Sequence, residues 1–311
     1  MQVKRMLEGH FVRRNIKLNA LTEHITNREC PEIYKNIMNK LFYKVSEMMQ
    51  NDAIKYNKDI YKYNAEIINK LRLQYNSVIY LTYRPDIDPL NIHNSLFDIT
   101  SINCIIRTIF ENYLIYHYIY IEHKRTKKDF ELDHIISDNE FIQFKYNFFD
   151  YNSKYQLYNS TKIVKKKEIE EAFNNAKEVL LKDVVFKKLN KQFRNNIIKN
   201  GWKPKWKKMI EYSELNYKYA LWSYDQLSLY IHSTSVAINT ITYFHNNQFI
   251  YDKDAINCFL YSMLSDFVQD VMSFWKINKS VYTEDEFNLM YEFFCLGKYG
   301  TEQMPLTPAS T

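Results

Sequence analysis

The sequence predicts an all-α protein, a multi-helix bundle of about eight to ten helices with no substantial sheet. Two observations carry that expectation. Apolar residues recur at helical rather than alternating spacing along most of the chain, so one face of each segment is built for burial. Only 4 Gly and 6 Pro occur in 311 residues, too little turn chemistry for a many-stranded sheet.

The elements follow in order. Cys30-Pro31-Glu32 reads as a helix start, with proline early and an acid in the first turn. The run to about Lys55 carries the stripe Ile33, Ile37, Leu41, Val45 and Met48 or Met49. A second run, from about Ile60 to Tyr83, carries Ile67, Leu71, Val78 and Leu81 and stops at Arg84-Pro-Asp-Ile-Asp-Pro89. Asp98 or Thr100 caps a helix reaching about Lys124, and Asp138 caps another ending near Tyr158. Thr161 precedes a charged amphipathic helix from Ile163 to Asp183, and Asn200-Gly-Trp-Lys-Pro204 is a break. Ser213 caps a helix to about Thr242, and Asp252 or Asp254 starts one to about Ile277. Thr283-Glu-Asp-Glu286 is a capping box, with Gly297 as the stop. These boundaries suggest a helical hairpin extension over 1–90, a main helical domain over 91–299 and a polar, disordered tail over 300–311, or a single domain over 1–299.

Composition sets limits on function. With 46% hydrophobic and 25% charged residues, the chain has the balance of a globular protein. The 27 Tyr and 20 Phe, with frequent Lys, Asn and Ile, are what an A/T-rich coding genome produces, so single tyrosines and lysines carry little information. Charge distribution carries more. The net charge is +6, but 15 Lys/Arg against 5 Asp/Glu between Lys162 and Lys208 put +10 there and leave −4 elsewhere. Such segregation suits a polyanion. The four cysteines are far apart, with neither a disulfide framework nor a zinc spacing. The start lacks a signal-peptide core, and the most apolar stretch, Ile102–Ile121, is broken by Arg107, Glu111, Asn112 and His117. The expectation is a cytoplasmic protein, not embedded in a membrane.

One face of the helix after Ser213 carries Tyr224, Ser228, His232, Ser235 and Asn239, stepping by three or four among apolar neighbours. Buried polar groups must find partners, because an unpaired one costs ~1–3 kcal/mol. Arg107 and Glu111, four apart in another apolar helix, offer a cation and a carboxylate, and a shared site predicts that they approach the Tyr224–His232 file. Arg107-x-x-x-Glu111, Trp206 and Tyr224-x-x-Leu227-Ser228-x-x-x-His232 together resemble a family of uncharacterised bacterial all-helical proteins, over about Ile60 to Asn246. That resemblance implies an all-α fold and a shared site but no reaction; Ser233 stands where the family often has Gly. Some such proteins belong to phage-defence or toxin systems, which is analogy. Arg5-Met-Leu-Glu-Gly-His10 matches the bare Arg-x4-His spacing of HEPN ribonucleases but lacks the usual polar residue after the Arg.

Gly201-Trp-Lys-Pro-Lys-Trp-Lys-Lys208 places Trp202 and Trp206 among Lys203, Lys205, Lys207 and Lys208, which suits bases stacked on indoles and phosphates on ammonium groups. The competing reading puts both indoles in the core and the lysines in water. No P-loop, dinucleotide fingerprint, zinc-protease helix or nucleophile elbow is present, and no cofactor or metal is expected. Two readings follow. In the first, His232 moves a proton and Arg107 stabilises phosphoryl charge during metal-independent RNA cleavage, with Glu111, Tyr224 and Ser228 completing the site. In the second, the same residues are a buried network in a non-enzymatic module that binds a protein partner or a second copy of itself.

Overall fold

The computed structural model describes residues 29–56, 58–83, 99–132, 136–161, 167–231 and 249–299. Helix accounts for 87% of these residues, with ten helices of seven or more residues and no strand among them. In chain order they are α1 (Glu29–Asn51), α2 (Ala53–Tyr56), α3 (Asp59–Tyr83), α4 (Ile99–Tyr120), α5 (Lys124–Asp129), α6 (Asp138–Ser160), α7 (Lys167–Lys182), α8 (Val184–Lys188), α9 (Lys191–Asn200), α10 (Trp206–Tyr212), α11 (Tyr217–Ile231), α12 (Phe249–Trp275) and α13 (Glu284–Tyr299), with a 3₁₀ turn at Lys279–Val281. No helix among the described residues is long and apolar enough to cross a membrane.

The chain forms two compact units, both discontinuous in sequence: residues 1–48, 68–110 and 214–311 in the first, 49–67 and 111–213 in the second. α3 and α4 each begin in one unit and end in the other.

The first unit buries the α1 stripe, Tyr34, Ile37, Leu41 and Val45, with Leu71 and Tyr75 of α3, Ile106 and Phe110 of α4 and Met263, Leu264 and Phe267 of α12. Its buried hydroxyls have acceptors, as a low-dielectric interior requires. Tyr34 hydrogen-bonds Ser265 at 2.5 Å, and Tyr75 donates to the Pro31 carbonyl at 3.0 Å. The capping box at Thr283 forms as the sequence suggests: Thr283 N–H donates to Glu286, and Glu286 N–H to the Thr283 hydroxyl. Glu286 also takes Lys40 Nζ at 2.6 Å, so one carboxylate both starts α13 and ties it to α1.

The second unit is organised around Phe130. The rings of Phe141, Phe144, Phe148, Phe193 and Trp202 meet it edge-on with centroids 5.1–5.9 Å away, a geometry that aromatic quadrupoles favour. The early part of α3 joins this unit through polar ends of aromatic residues. Tyr120 donates to the Ile60 carbonyl at 3.0 Å, and the Tyr63 and Tyr146 rings lie 5.3 Å apart.

Several boundaries differ from the sequence expectation. Ser213 ends α10, its hydroxyl donating to the Ile210 carbonyl, whereas Asn216 starts α11 by accepting from Tyr219 N–H. Ser137 rather than Asp138 caps α6, in a reciprocal box with Glu140. Asp183 does not close α7; it caps α8, accepting from Val185 and Phe186 N–H. The helix expected from Asp252 or Asp254 begins at Phe249. Gly297 lies inside α13, where its small size is what matters: a Cβ there would stand 2.9 Å from Leu215 and 3.0 Å from the Ser262 Cβ. Asp98, Arg5, His10 and the tail over 300–311 lie outside the described residues.

Candidate functional site

In the first unit, Arg107 of α4 and Tyr224 of α11 meet. Arg107 NH2 donates to the Tyr224 hydroxyl at 3.0 Å, and its guanidinium carbon lies 4.8 Å from the ring centroid. A planar cation over an aromatic ring that also accepts its proton fixes two helices with one side-chain pair. Phe110, three residues along α4, meets the same ring edge-on at 6.2 Å. One turn further along α11, Ser228 donates to the Tyr224 carbonyl at 2.6 Å, a bond within its own helix. His232, Ser235 and Asn239 lie outside the described residues, and half-buried Glu111 belongs to the second unit. Of the five residues expected to form a catalytic site, the structure thus brings together Arg107 and Tyr224, with Ser228 on the adjacent turn.

The second unit contains a buried cation. Lys145 of α6 is fully buried, and its ammonium reaches the carbonyls of Tyr118 and Glu122 and, at 3.1 Å, His123 Nδ1. Burial pushes the Lys145 pKa well down, against the pull of Glu122 and Asp138. Burial, then the neighbouring Lys145 charge, lowers His123 to about 3. Asp138 is held below the usual carboxylate range, chiefly by its hydrogen bond from Lys127 at 2.8 Å. The arrangement holds the end of α4 against α6, in the manner of a basic residue at a helix C-terminus.

The basic segment resolves into two kinds of residue. Trp202 packs inward, its ring 4.7 Å from Phe193 and 5.8 Å from Phe148, and so anchors the loop between α9 and α10. Trp206 is half-buried at the first position of α10. Lys203, Lys205 and Lys207 are exposed. Lys208 instead lies over the Tyr212 ring at 4.6 Å, 3.5 Å from Glu211 and 4.0 Å from Asp129, and its hydrogen bond with Tyr212 raises its pKa.

The sequence reading passed over α9. Lys191, Gln192, Asn195, Asn196, Lys199 and Asn200 of this helix are all exposed and form an open polar surface along it. Their spacing was available in the sequence: 191, 195 and 199 form one file, and 192, 196 and 200 the next. The helix is held firmly. Asn190 caps its start, Ile197 is fully buried, and the Tyr151 and Tyr155 hydroxyls of α6 donate to the carbonyls of Ile198 and Lys199. Gly201 ends it at φ +58°, a left-handed conformation that suits glycine. From Val184 to Ile210 the chain holds nine Lys/Arg and no Asp or Glu.

Among the described residues, no group of three or more His, Cys, Asp or Glu side chains is placed to hold a metal ion. Comparisons with protein-family models, with curated proteins and with solved structures give no match.

Proposed function

We propose that this protein binds RNA through the basic surface formed by α8, α9, α10 and the loop over 201–205. The observation that carries the reading is the stretch of nine Lys/Arg without an acid over Val184–Ile210, in which Lys187, Lys188, Lys191, Lys199, Lys203, Lys205 and Lys207 are all exposed. Exposed ammonium groups gain little from the fold itself, whereas each phosphate they neutralise releases condensed counterions. The rigid aromatic core beneath them, with Trp202 and Phe193 packed against Phe130, keeps the charges on a fixed frame. Arg107 and Tyr224 join α4 to α11 in the first unit, and Ser228 bonds back within its own helix.

Fluorescence anisotropy with a labelled single-stranded RNA across a salt series tests this. Affinity should fall steeply with salt, by roughly 0.7 log units per phosphate contact for each log unit of salt. A Lys203→Glu/Lys205→Glu/Lys207→Glu variant should bind more weakly and show a slope shallower by about 2. Salt-independent affinity, or a variant that binds like the wild type, rejects the surface. Cleavage is read in the same samples by RNA integrity: loss of full-length RNA with the wild type but not with His232→Ala would add a nuclease activity to binding.

A further inference from the structure

Resting on the RNA-binding reading, we propose that Trp206 is the base-stacking platform of the basic surface, which makes single-stranded RNA its ligand. The two tryptophans of this segment are used differently. Trp202 packs against the rings of Phe130, Phe148 and Phe193. Trp206, four residues on, is half-buried at the first position of α10, and among the described residues no ring contact or hydrogen bond engages its indole. An indole in that state keeps apolar surface in water, which a flat ring can cover. Its surroundings decide which ring. Lys205 and Lys207 are its chain neighbours and Lys203 lies three residues before it; all three are exposed, and no acid occurs from Val184 to Ile210. A nucleobase is a ring that arrives with a phosphate on either side, so the same ligand satisfies the indole and the ammonium groups.

A platform binds well only if it needs no ordering of its own. The loop before Trp206 is fixed at Gly201 against the Tyr155 ring and at Trp202 in the aromatic core. After it, α10 buries Met209, Ile210 and Tyr212, and Arg125 takes the carbonyls of Glu211 and Tyr212. The backbone that carries the indole is thus held on both sides of it. Stacking asks for one flat partner, and every base has a face to offer, so the contact tolerates any sequence. In a duplex those faces are covered by the neighbouring pairs, and only base edges, sugars and phosphates remain outside. Duplex RNA and a polyanion without bases therefore meet the lysines alone, whereas a single strand meets the lysines and the indole.

Titration of the full-length protein with a single-stranded RNA of mixed sequence, a duplex of equal length and inorganic polyphosphate tests the inference. Trp206→Ala should weaken the single strand roughly fivefold or more and leave the duplex and polyphosphate within about twofold of wild type. It should leave the salt slope unchanged, because a stacked ring releases no counterions. Unchanged thermal melting shows that the variant is folded. Trp206→Phe keeps a ring, so it should retain more of the single-strand affinity than Trp206→Ala while losing most of the quenching of tryptophan emission by that strand; Trp202 and Trp275 are packed inside, and Trp222 lies in the first unit. Single-strand affinity that survives Trp206→Ala, an equal loss for all three ligands, or quenching that persists in Trp206→Phe overturns the platform while RNA binding stands. So does a duplex that binds the wild type more tightly than the single strand at about 0.15 M salt. Failure to bind either RNA overturns the RNA-binding reading and this inference with it.

Discussion

A lysine in a protein interior persists only where its protons have acceptors, and Lys145 has three: two carbonyl oxygens and a ring nitrogen. That geometry fixes the state of His123. Its Nδ1 accepts from the ammonium, so the neutral ring carries its proton on Nε2. A second ring proton would face the Lys145 charge, which, after burial, is why His123 is lowered to about 3. The unfolded chain takes up that proton near pH 6.5, whereas the fold refuses it until about 3. The His123 contribution to stability is therefore full above pH 6.5 and is lost progressively as the pH falls through this window. At about 1.4 kcal/mol per pKa unit, the loss between pH 6.5 and 5 reaches up to ~2 kcal/mol. Thermal melts at pH 7.5 and 5 should show it. His123→Gln, which can accept from Lys145 but does not titrate, should lose distinctly less on acidification; an identical acid loss would show that another group is responsible.

Helix ends in the second unit are closed by side chains distant in sequence. The Tyr118 and Glu122 carbonyls take Lys145, and those of Ile198 and Lys199 take Tyr151 and Tyr155. The last carbonyls of α10 take Arg125, at 3.1 Å on Glu211 and 2.6 Å on Tyr212, and the Tyr212 carbonyl also takes His117 Nε2. Each contact satisfies an acceptor that a helix cannot satisfy alone. Gly201 combines both kinds of stop, because its left-handed φ comes with the Tyr155 ring 2.5 Å from where a Cβ would stand. Gly201→Ala should cost about 2 kcal/mol, from the left-handed conformation and the displaced ring, and lower the denaturation midpoint measured by circular dichroism. A wild-type midpoint would mean that the loop shifts freely. The same contrast explains what could be read from the sequence. The Thr283 box and the Asn200-Gly break lie within a few residues and were legible. Ser213 misled because a serine after a helix can bond backward to Ile210 as readily as forward. Arg107 and Tyr224 stood out as polar residues on apolar helices, but that they meet depends on packing that no local pattern contains. The face of α9 was overlooked because Asn and Lys are abundant throughout the chain, and only their position on a folded helix distinguishes these six.

At the scale of the whole molecule, the units are interleaved along the chain. Residues 49–67 fold with 111–213, supplying the Ile60 carbonyl to Tyr120, the Asn64 amide oxygen to Tyr116 and the Tyr63 ring to Tyr146. A fragment spanning 111–213 should therefore be less helical and melt less cooperatively than the same residues in the intact protein, because Tyr116, Tyr120 and Tyr146 lose these partners. Adding a peptide of residues 49–67 should raise its melting temperature; an unaffected fragment would show that the unit does not need that segment. Charge is divided as well. The segment from Val184 to Ile210 contains no acid, so it holds nine of the 42 Lys/Arg and none of the 36 Asp/Glu. A field of one sign on a part of the surface speeds encounter with a polyanion and makes the rate depend on ionic strength.

The burial of Lys145 also makes it a chemical stopwatch. Amine-reactive esters modify exposed lysines such as Lys187, Lys199 and Lys203 directly, but Lys145 is 0% exposed and its ammonium is held by three acceptors. Its acylation must wait for α4 and α6 to part. The appearance of label on Lys145, followed by peptide mass spectrometry under native conditions, thus counts openings of the second unit without a probe being engineered into it.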